Sequence, residues 1–174
     1  MALSVLALDP GVHLGYALLP EGEVGVLVLP REPVAAVRAM AAGLGHLLDR
    51  ADRVVVEGWE VQGRSPGRDS LVPVALLGAL LVLGAEAVSP RWKQRFAAGV
   101  SSRMRIEGGA SSFPSGLDAV DRRLWIRLQV EGYLSLLEQV RALPKAHRPH
   151  ALDALGLARW ATLRLNEREV SYAS

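Results

Sequence analysis

Short apolar runs separated by turn-forming residues dominate the first thirty positions of the chain. Residues 3–8 are apolar except for Ser4, and Asp9-Pro10-Gly11 follows as a turn sequence. An extended pattern resumes over residues 15–19, and a second turn leads into residues 23–29, where valines alternate with other residues. Three consecutive strands joined by short turns predict an antiparallel meander.

Helical spacing of apolar residues takes over from residue 33. It predicts a helix over residues 33–50, which Pro33 is suited to begin. Three valines at 54–56 then predict a short buried strand that ends at Glu57. Residues 71–84 predict an apolar helix, and residues 86–89 a fifth short strand.

The second half of the chain begins with a loss of periodicity. Residues 100–116 are rich in Ser, Gly and Arg, and predict a long mobile loop within one domain that spans residues 1–174. Residues 121–143 predict a helix, residues 144–149 a break, and residues 151–165 the last helix. A meander followed by strands that alternate with helices predicts an α/β fold with a mixed sheet.

Composition indicates the cellular compartment and, weakly, a partner that carries phosphate. The 174 residues are 50% hydrophobic and include no cysteine, which excludes a disulfide framework and thiolate metal sites. The longest apolar stretch, roughly residues 71–83, is too short to span a bilayer. No basic, apolar, small-residue leader precedes Leu3, so nothing suggests export. We therefore expect a soluble cytoplasmic protein with no membrane partner. Only two of its twenty basic residues are lysine, and arginine is the better partner for phosphate.

Three acidic residues and one histidine lie where charge is unusual. Asp9 and Glu57 each end an apolar strand, and Asp153 lies among apolar residues early in the last predicted helix. His150 precedes Asp153 by three residues, so the two face the same side if the helix includes both. A carboxylate at the end of a buried strand is costly unless it is paired or bound to a metal. Oxygen ligands with a histidine suit Mg²⁺ or Mn²⁺, and two such ions can promote phosphodiester hydrolysis.

Each of these four residues also has an ordinary interpretation. Asp9 suits the turn that follows it, and Glu57 could pair with a nearby arginine at the end of its strand. Asp153 could be a first-turn carboxylate favoured by the helix dipole, and His150 a helix residue with no ligand role. Glu60 is a competing carboxylate, which we expect to be solvated in the loop after Glu57.

The other histidines lack a comparable setting in the sequence. We expect His13, His46 and His147 to be structural or surface residues. His13, close to the first turn, is also a candidate for a phosphate contact.

Three blocks in this order resemble the RuvC family of Holliday junction resolvases, within the RNase H-like superfamily. Residues 6–16 read LALDPGVHLGY, residues 54–57 read VVVE and residues 150–158 read HALDALGLA. The first is similar to that family's first-strand motif, the second to its fourth strand with the second catalytic acid. The third is similar to its last helix, where Asp or His precedes the final catalytic Asp by three residues. The blocks cover a small part of the chain, but their order and spacing agree with the family.

The resemblance implies a fold, a site and an activity. The fold would be an RNase H-like mixed five-stranded sheet, with three antiparallel and then two parallel strands, flanked by helices. Asp9, Glu57, His150 and Asp153 would be catalytic and would hold two Mg²⁺ or Mn²⁺ ions, with Asp9 between them. Members of the family are homodimers that nick two strands of a four-way DNA junction symmetrically and leave ligatable ends.

The segment from residue 89 onward departs from the family pattern, and the chain between Asp9 and Glu57 is short. This is typical of a divergent or phage-type member and bears mainly on substrate preference. Basic and aromatic residues in the loops are candidates for contact with branched DNA; they are Trp59, Arg64, Arg68, Arg91, Lys93, Arg95, Arg103 and Arg105. The alternative is a solvated basic face with Trp59 and Trp92 in the core. The helix over residues 71–83 is apolar nearly all round and could serve both the core and a dimer surface.

The sequence thus predicts a metal-dependent, structure-selective DNA endonuclease that acts on four-way junctions. One rival is a YqgF-like nuclease of the same fold, associated with ribosomal RNA processing, although the spacing of His150 and Asp153 favours the resolvase. An actin-like kinase would be far longer and would need a second phosphate loop, which the chain lacks. An inactive nucleic-acid-binding member of the fold is the third rival, and the intact Asp9, Glu57 and Asp153 argue against it.

Overall fold

A five-stranded mixed sheet forms the centre of the protein. The computed structural model describes residues 3–58, 70–100 and 113–172. The strands are β1 (Val5–Asp9), β2 (His13–Leu19), β3 (Glu23–Val28), β4 (Arg53–Glu57) and β5 (Glu86–Val88). Their order in the sheet is β3-β2-β1-β4-β5; β1 to β3 are antiparallel, and β4 and β5 run parallel to β1. This confirms the predicted RNase H-like arrangement of three antiparallel and two parallel strands.

Six helices accompany the sheet in the described part of the chain. They are α1 (Pro33–Leu48), α2 (Leu71–Val82), α3 (Trp92–Phe96), α4 (Ala119–Val130), α5 (Leu134–Ala142) and α6 (Arg148–Tyr172). No helix within residues 3–58, 70–100 and 113–172 is both long enough and apolar enough to cross a membrane.

The prediction of a single helix over residues 121–143 is wrong. Two helices occupy this region, and the chain turns between them at Gly132, whose φ of +93° is a conformation that glycine adopts at little cost. The last helix begins at Arg148 rather than at residue 151. Pro149 fits its first turn, because the N–H that proline lacks has no helical partner there. Most of the predicted loop over residues 100–116 lies outside the described residues.

Strand alternation divides the core between the two faces of the sheet. Val5, Ala7 and Val55 point to one face and pack with α3, α4, α5 and α6. Leu6, Leu8 and Val56 point to the other face and pack with α1 and α2. Among these helices α6 packs directly on β1 and β2, so its first turn lies over the ends of the central strands.

Candidate active site

Asp9 and Glu57 are neighbours at the end of two adjacent parallel strands. Leu8 of β1 is in register with Val56 of β4, and each carboxylate follows one residue later. Because strand side chains alternate, Asp9 lies on the same face as Ala7, which is the face covered by α6. The sheet therefore brings together the two acids that the sequence singled out as strand ends.

The first turn of α6 adds His150 to this pair. Its Nδ1 lies 2.8 Å from Asp9 Oδ2. The hydrogen bond with Asp9 is the main cause that raises the pKa of His150, and it outweighs the lowering caused by burial. The protonated ring is thereby favoured, and in that form Nδ1 donates to the carboxylate.

A glycine permits this close approach of helix and strand. Gly15 is paired with Asp9 across β1 and β2. A Cβ at this position would lie 2.1 Å from the backbone oxygen of His150. The lack of a side chain on Gly15 is what lets the start of α6 reach Asp9.

Asp153, one turn further along α6, is the most strongly perturbed acid. Burial raises the pKa of its carboxyl group well above the usual range. The charge of Lys93 opposes this rise, whereas the charges of Asp9 and Glu57 add to it. Within the described residues its Oδ1 is buried and has no well-aligned hydrogen bond. Lys93 Nζ is nevertheless 2.7 Å from that oxygen, in an ion pair. Burial thus disfavours the ionised carboxylate of Asp153, and the neighbouring ammonium of Lys93 favours it.

Glu57 is held by α3, a helix that the sequence did not predict. Trp92, only 2% exposed, donates from its indole Nε1 to Glu57 Oε2 at 2.7 Å. Burial and then the charge of Asp9 raise the pKa of Glu57 to about 7, and the Trp92 hydrogen bond opposes them. Trp92 is therefore a core residue, as the alternative interpretation of the basic face expected, and it also orients an acid of the site.

Lys93 lies inside the acidic cluster. Its ammonium pairs with Asp153 and with Asp121, a residue of α4 that is 3% exposed and that the sequence analysis missed. Burial disfavours the ammonium, but the charges of Asp153 and Asp121 outweigh it and raise the pKa of Lys93. Asp121 could have been noticed as the third residue of a capping box with Asp118, although that pattern points only to a helix start.

Two further histidines lie beside the site. The His13 ring lies 4.8 Å from that of His147 and 5.7 Å from that of His150, between ring centroids. Burial, the two neighbouring imidazoles and then Arg31 lower the pKa of His13. The interval from His147 to His150 equals that from His150 to Asp153, a helical spacing that could have revealed His147. His46 lies at the end of α1 and is exposed.

The remaining candidates for DNA contact are only partly covered by the structure. Arg91 and Arg95 are exposed on or beside α3. Lys93, from the same predicted group, is 15% exposed and faces carboxylates rather than solvent. The other candidates lie outside the described residues; they are Trp59, Arg64, Arg68, Arg103 and Arg105, together with the competing acid Glu60.

The donor set fits a hard divalent cation, although it is not preassembled. Three carboxylates and an imidazole are ligands that Mg²⁺ and Mn²⁺ accept, and the buried oxygen of Asp153 lacks a well-aligned donor. Within residues 3–58, 70–100 and 113–172, however, no three acidic or histidine side chains are arranged so that they could hold a metal ion. Asp153 instead pairs with Lys93, and Asp9 with His150.

Comparison with known proteins identifies the fold. No protein-family model matches the sequence, and no curated protein matches it either. The structure of Thermus thermophilus RuvC in complex with a Holliday junction substrate is similar at 21% sequence identity and a TM-score of 0.52, covering 91% of this chain and 92% of that chain. A second structure of Thermus thermophilus RuvC is 22% identical, with a TM-score of 0.52 and coverage of 94% and 97%. The protein thus has the RNase H-like fold of RuvC over nearly its whole length.

Proposed function

We propose that this protein is a metal-dependent, structure-selective DNA endonuclease that resolves four-way (Holliday) junctions by paired symmetric nicks. The observation that carries the proposal is the meeting of Asp9, Glu57, His150 and Asp153 where β1, β4 and α6 converge. These residues come from three distant parts of the chain and share one electrostatic environment. A site of this kind on the fold of a junction-binding protein favours a nuclease over a structural role.

The four side chains are suited to hold Mg²⁺ or Mn²⁺. Two such ions, when bound, activate a water and stabilise the leaving oxygen of a phosphodiester. The chain's own contribution is to orient the donors: Trp92 fixes Glu57, and the short distance between α6 and β2 fixes His150 against Asp9. Because Glu57 has a pKa of about 7, its carboxyl group must lose a proton near neutral pH before it can act as a ligand.

A branched DNA substrate is consistent with the charges around the site. Arg91 and Arg95 are exposed basic residues, each two positions from Lys93 in the sequence, and arginine suits phosphate oxygens. One of the RuvC structures with this fold is a complex with a Holliday junction. We include Trp59, Arg64, Arg68, Arg103 and Arg105 as further contacts in the proposed DNA interface.

A homodimer is the assembly that this activity requires, because paired nicks need two sites. The α2 surface offers a contact: Leu71, Val74, Leu81 and Val82 are exposed, with Val82 at 88%, while Val72, Leu76 and Leu80 on the opposite side pack in the core. A group of exposed apolar side chains on one helix is typical of an interaction site. We expect a dimeric mass in solution at micromolar concentration; a strictly monomeric mass would contradict this part of the proposal.

Cleavage of synthetic four-way DNA junctions tests the activity. The wild-type protein should nick the junction in Mg²⁺ or Mn²⁺ and not in EDTA, and Asp9→Asn should abolish nicking while junction binding persists. Asp49→Asn is the matched control, since Asp49 is an exposed carboxylate at the end of α1. This variant should cleave the junction as the wild type does. Junction binding without nicking in any metal would favour an inactive binding protein, and selective cutting of structured RNA would favour the YqgF-like alternative.

A further inference from the structure

The ammonium of Lys93 occupies the acidic cluster in the way a bound cation would. Its two partners, Asp153 and Asp121, have side chains that are 18% and 5% exposed, so the contacts are largely shielded from water. Its charge also lowers the pKa of Glu57. Lys93 therefore neutralises part of the charge that Asp9, Glu57 and Asp153 bring together.

Asp153 has two roles that conflict. In the proposed function it is a ligand for a divalent cation, yet its Oδ1 is 2.7 Å from the ammonium of Lys93. A divalent cation held by that oxygen would repel an ammonium at the same position. Binding of the metal therefore requires Lys93 to withdraw from this oxygen.

Asp121 is built to receive the withdrawn ammonium. Its Oδ2 accepts the backbone N–H of Asp118 at 3.0 Å, which fixes the carboxylate at the start of α4. Its Oδ1 is left to pair with Lys93. Asp121 can thus retain the ammonium at the edge of the cluster after Asp153 has changed partner.

We propose that Lys93 is a built-in counter-cation that divalent metal displaces from Asp153, and that Asp121 is the positioning residue that holds the displaced ammonium. This rests on the proposed metal-dependent function. It assigns α3 two tasks in the site, since Trp92 orients Glu57 while the next residue occupies Asp153 until metal arrives.

Substitutions at the two positions should change metal affinity in opposite directions. Lys93→Met removes the competitor, so Mn²⁺ should bind about tenfold more tightly. Asp121→Asn keeps a side-chain oxygen for the Asp118 N–H but removes the charge that draws Lys93 away, so Mn²⁺ should bind about tenfold more weakly. A purely structural role for this pair would weaken binding in both variants.

The double variant separates an effect through Lys93 from a direct effect of the Asp121 charge. If Asp121 acts by holding Lys93, then Asp121→Asn should have little effect in the Lys93→Met background. Lys145→Met is the matched control, because Lys145 is the only other lysine and is exposed. Its affinity for Mn²⁺ should equal that of the wild type.

Isothermal titration of the full-length chain with Mn²⁺, without DNA, measures these affinities. Thermal melting in EDTA and in excess Mn²⁺ provides a second readout: Lys93→Met should melt lower than the wild type in EDTA and recover more than the wild type when Mn²⁺ is added. Tighter binding by Lys93→Met, weaker binding by Asp121→Asn and non-additivity in the double variant would together support the proposal.

Other outcomes would overturn different parts of the proposal, and they can be told apart. Binding of Mn²⁺ by the wild type, with no gain in Lys93→Met, would refute the counter-cation while leaving the proposed nuclease intact. An equal loss from Asp121→Asn with and without Lys93 would refute the positioning role. Absence of Mn²⁺ binding in all five proteins would refute the metal-dependent function and this inference with it.

Discussion

Substitution of Gly15 by alanine should push the start of α6 away from Asp9. A Cβ on Gly15 would lie 2.1 Å from the backbone oxygen and 2.5 Å from the backbone carbon of His150, and real Cβ atoms essentially never approach closer than 3.0 Å. The two elements must therefore separate by about 1 Å, since the clashing atoms belong to the helix backbone and cannot rotate away.

The structure sets the size of the expected effects. Overpacking of this kind costs about 2 kcal/mol of folding free energy. A separation of about 1 Å also stretches the 2.8 Å contact between His150 Nδ1 and Asp9 beyond hydrogen-bonding distance. Because that bond is the main cause that raises the pKa of His150, the pKa should fall. In the proposed nuclease, a 1 Å displacement of a ligand should lower the cleavage rate about 100-fold.

Two measurements that do not depend on the proposed activity check this reasoning. Urea unfolding at neutral pH gives the loss of stability, and an NMR titration of the histidine ring gives the pKa of His150. Gly45→Ala is the matched control: within the described residues nothing lies within 4 Å of its added Cβ, and alanine in α1 should stabilise the fold by about 0.4–1 kcal/mol. Wild-type stability and an unchanged pKa of His150 in Gly15→Ala would refute the role assigned to Gly15.

Three other residues give further predictions. In EDTA, protonation of Glu57 stabilises the fold by about 3 kcal/mol at pH values below the ordinary pKa of 4.5, and this stabilisation is lost as the pH rises through about 7. Urea unfolding from pH 4 to 8 should therefore show a fall in the free energy of unfolding, and Glu57→Gln should reduce that fall. Trp92→Phe keeps an apolar ring but removes the N–H donor, so the fold should lose about 1–3 kcal/mol in urea unfolding, and NMR should show a higher pKa for Glu57; an unchanged pKa would contradict the assigned hydrogen bond. Arg148→Ala removes donors to the Leu143 carbonyl oxygen and to Ser115 and should lower the melting temperature, whereas an unchanged value would show that these contacts do not anchor the start of α6.

Local pattern was sufficient for the five strands, for the helices at residues 33–50 and 71–84, and for the acids at the strand ends. Apolar runs with turn residues between them identified the meander, since strand and helix periods depend on near neighbours in the chain. Asp9 and Glu57 stood out because a charge at the end of a buried strand is unusual. The resemblance to RuvC then supplied the parallel placement of β4 and β5, which the structure confirms.

Other features were invisible at this level because their causes are not periodic. The five residues of α3 are too few to show a helical pattern, and the break at Gly132 rests on one positive φ within an otherwise helical spacing. Neither a short helix nor a single turn leaves a signal that periodicity can separate from its surroundings.

The electrostatics of the site depend on contacts between residues far apart in the chain. Asp9 and His150 are 141 positions apart, and their contact exists because Gly15 allows α6 to approach β2. Lys93 was expected at a DNA surface, and it pairs with Asp153 because α3 and α6 pack on the same face of the sheet. Sequence pattern could name the acids, since charge at a buried strand end is a local property. The partner of each acid follows from packing, because burial and distance between elements set the strength of every charge interaction.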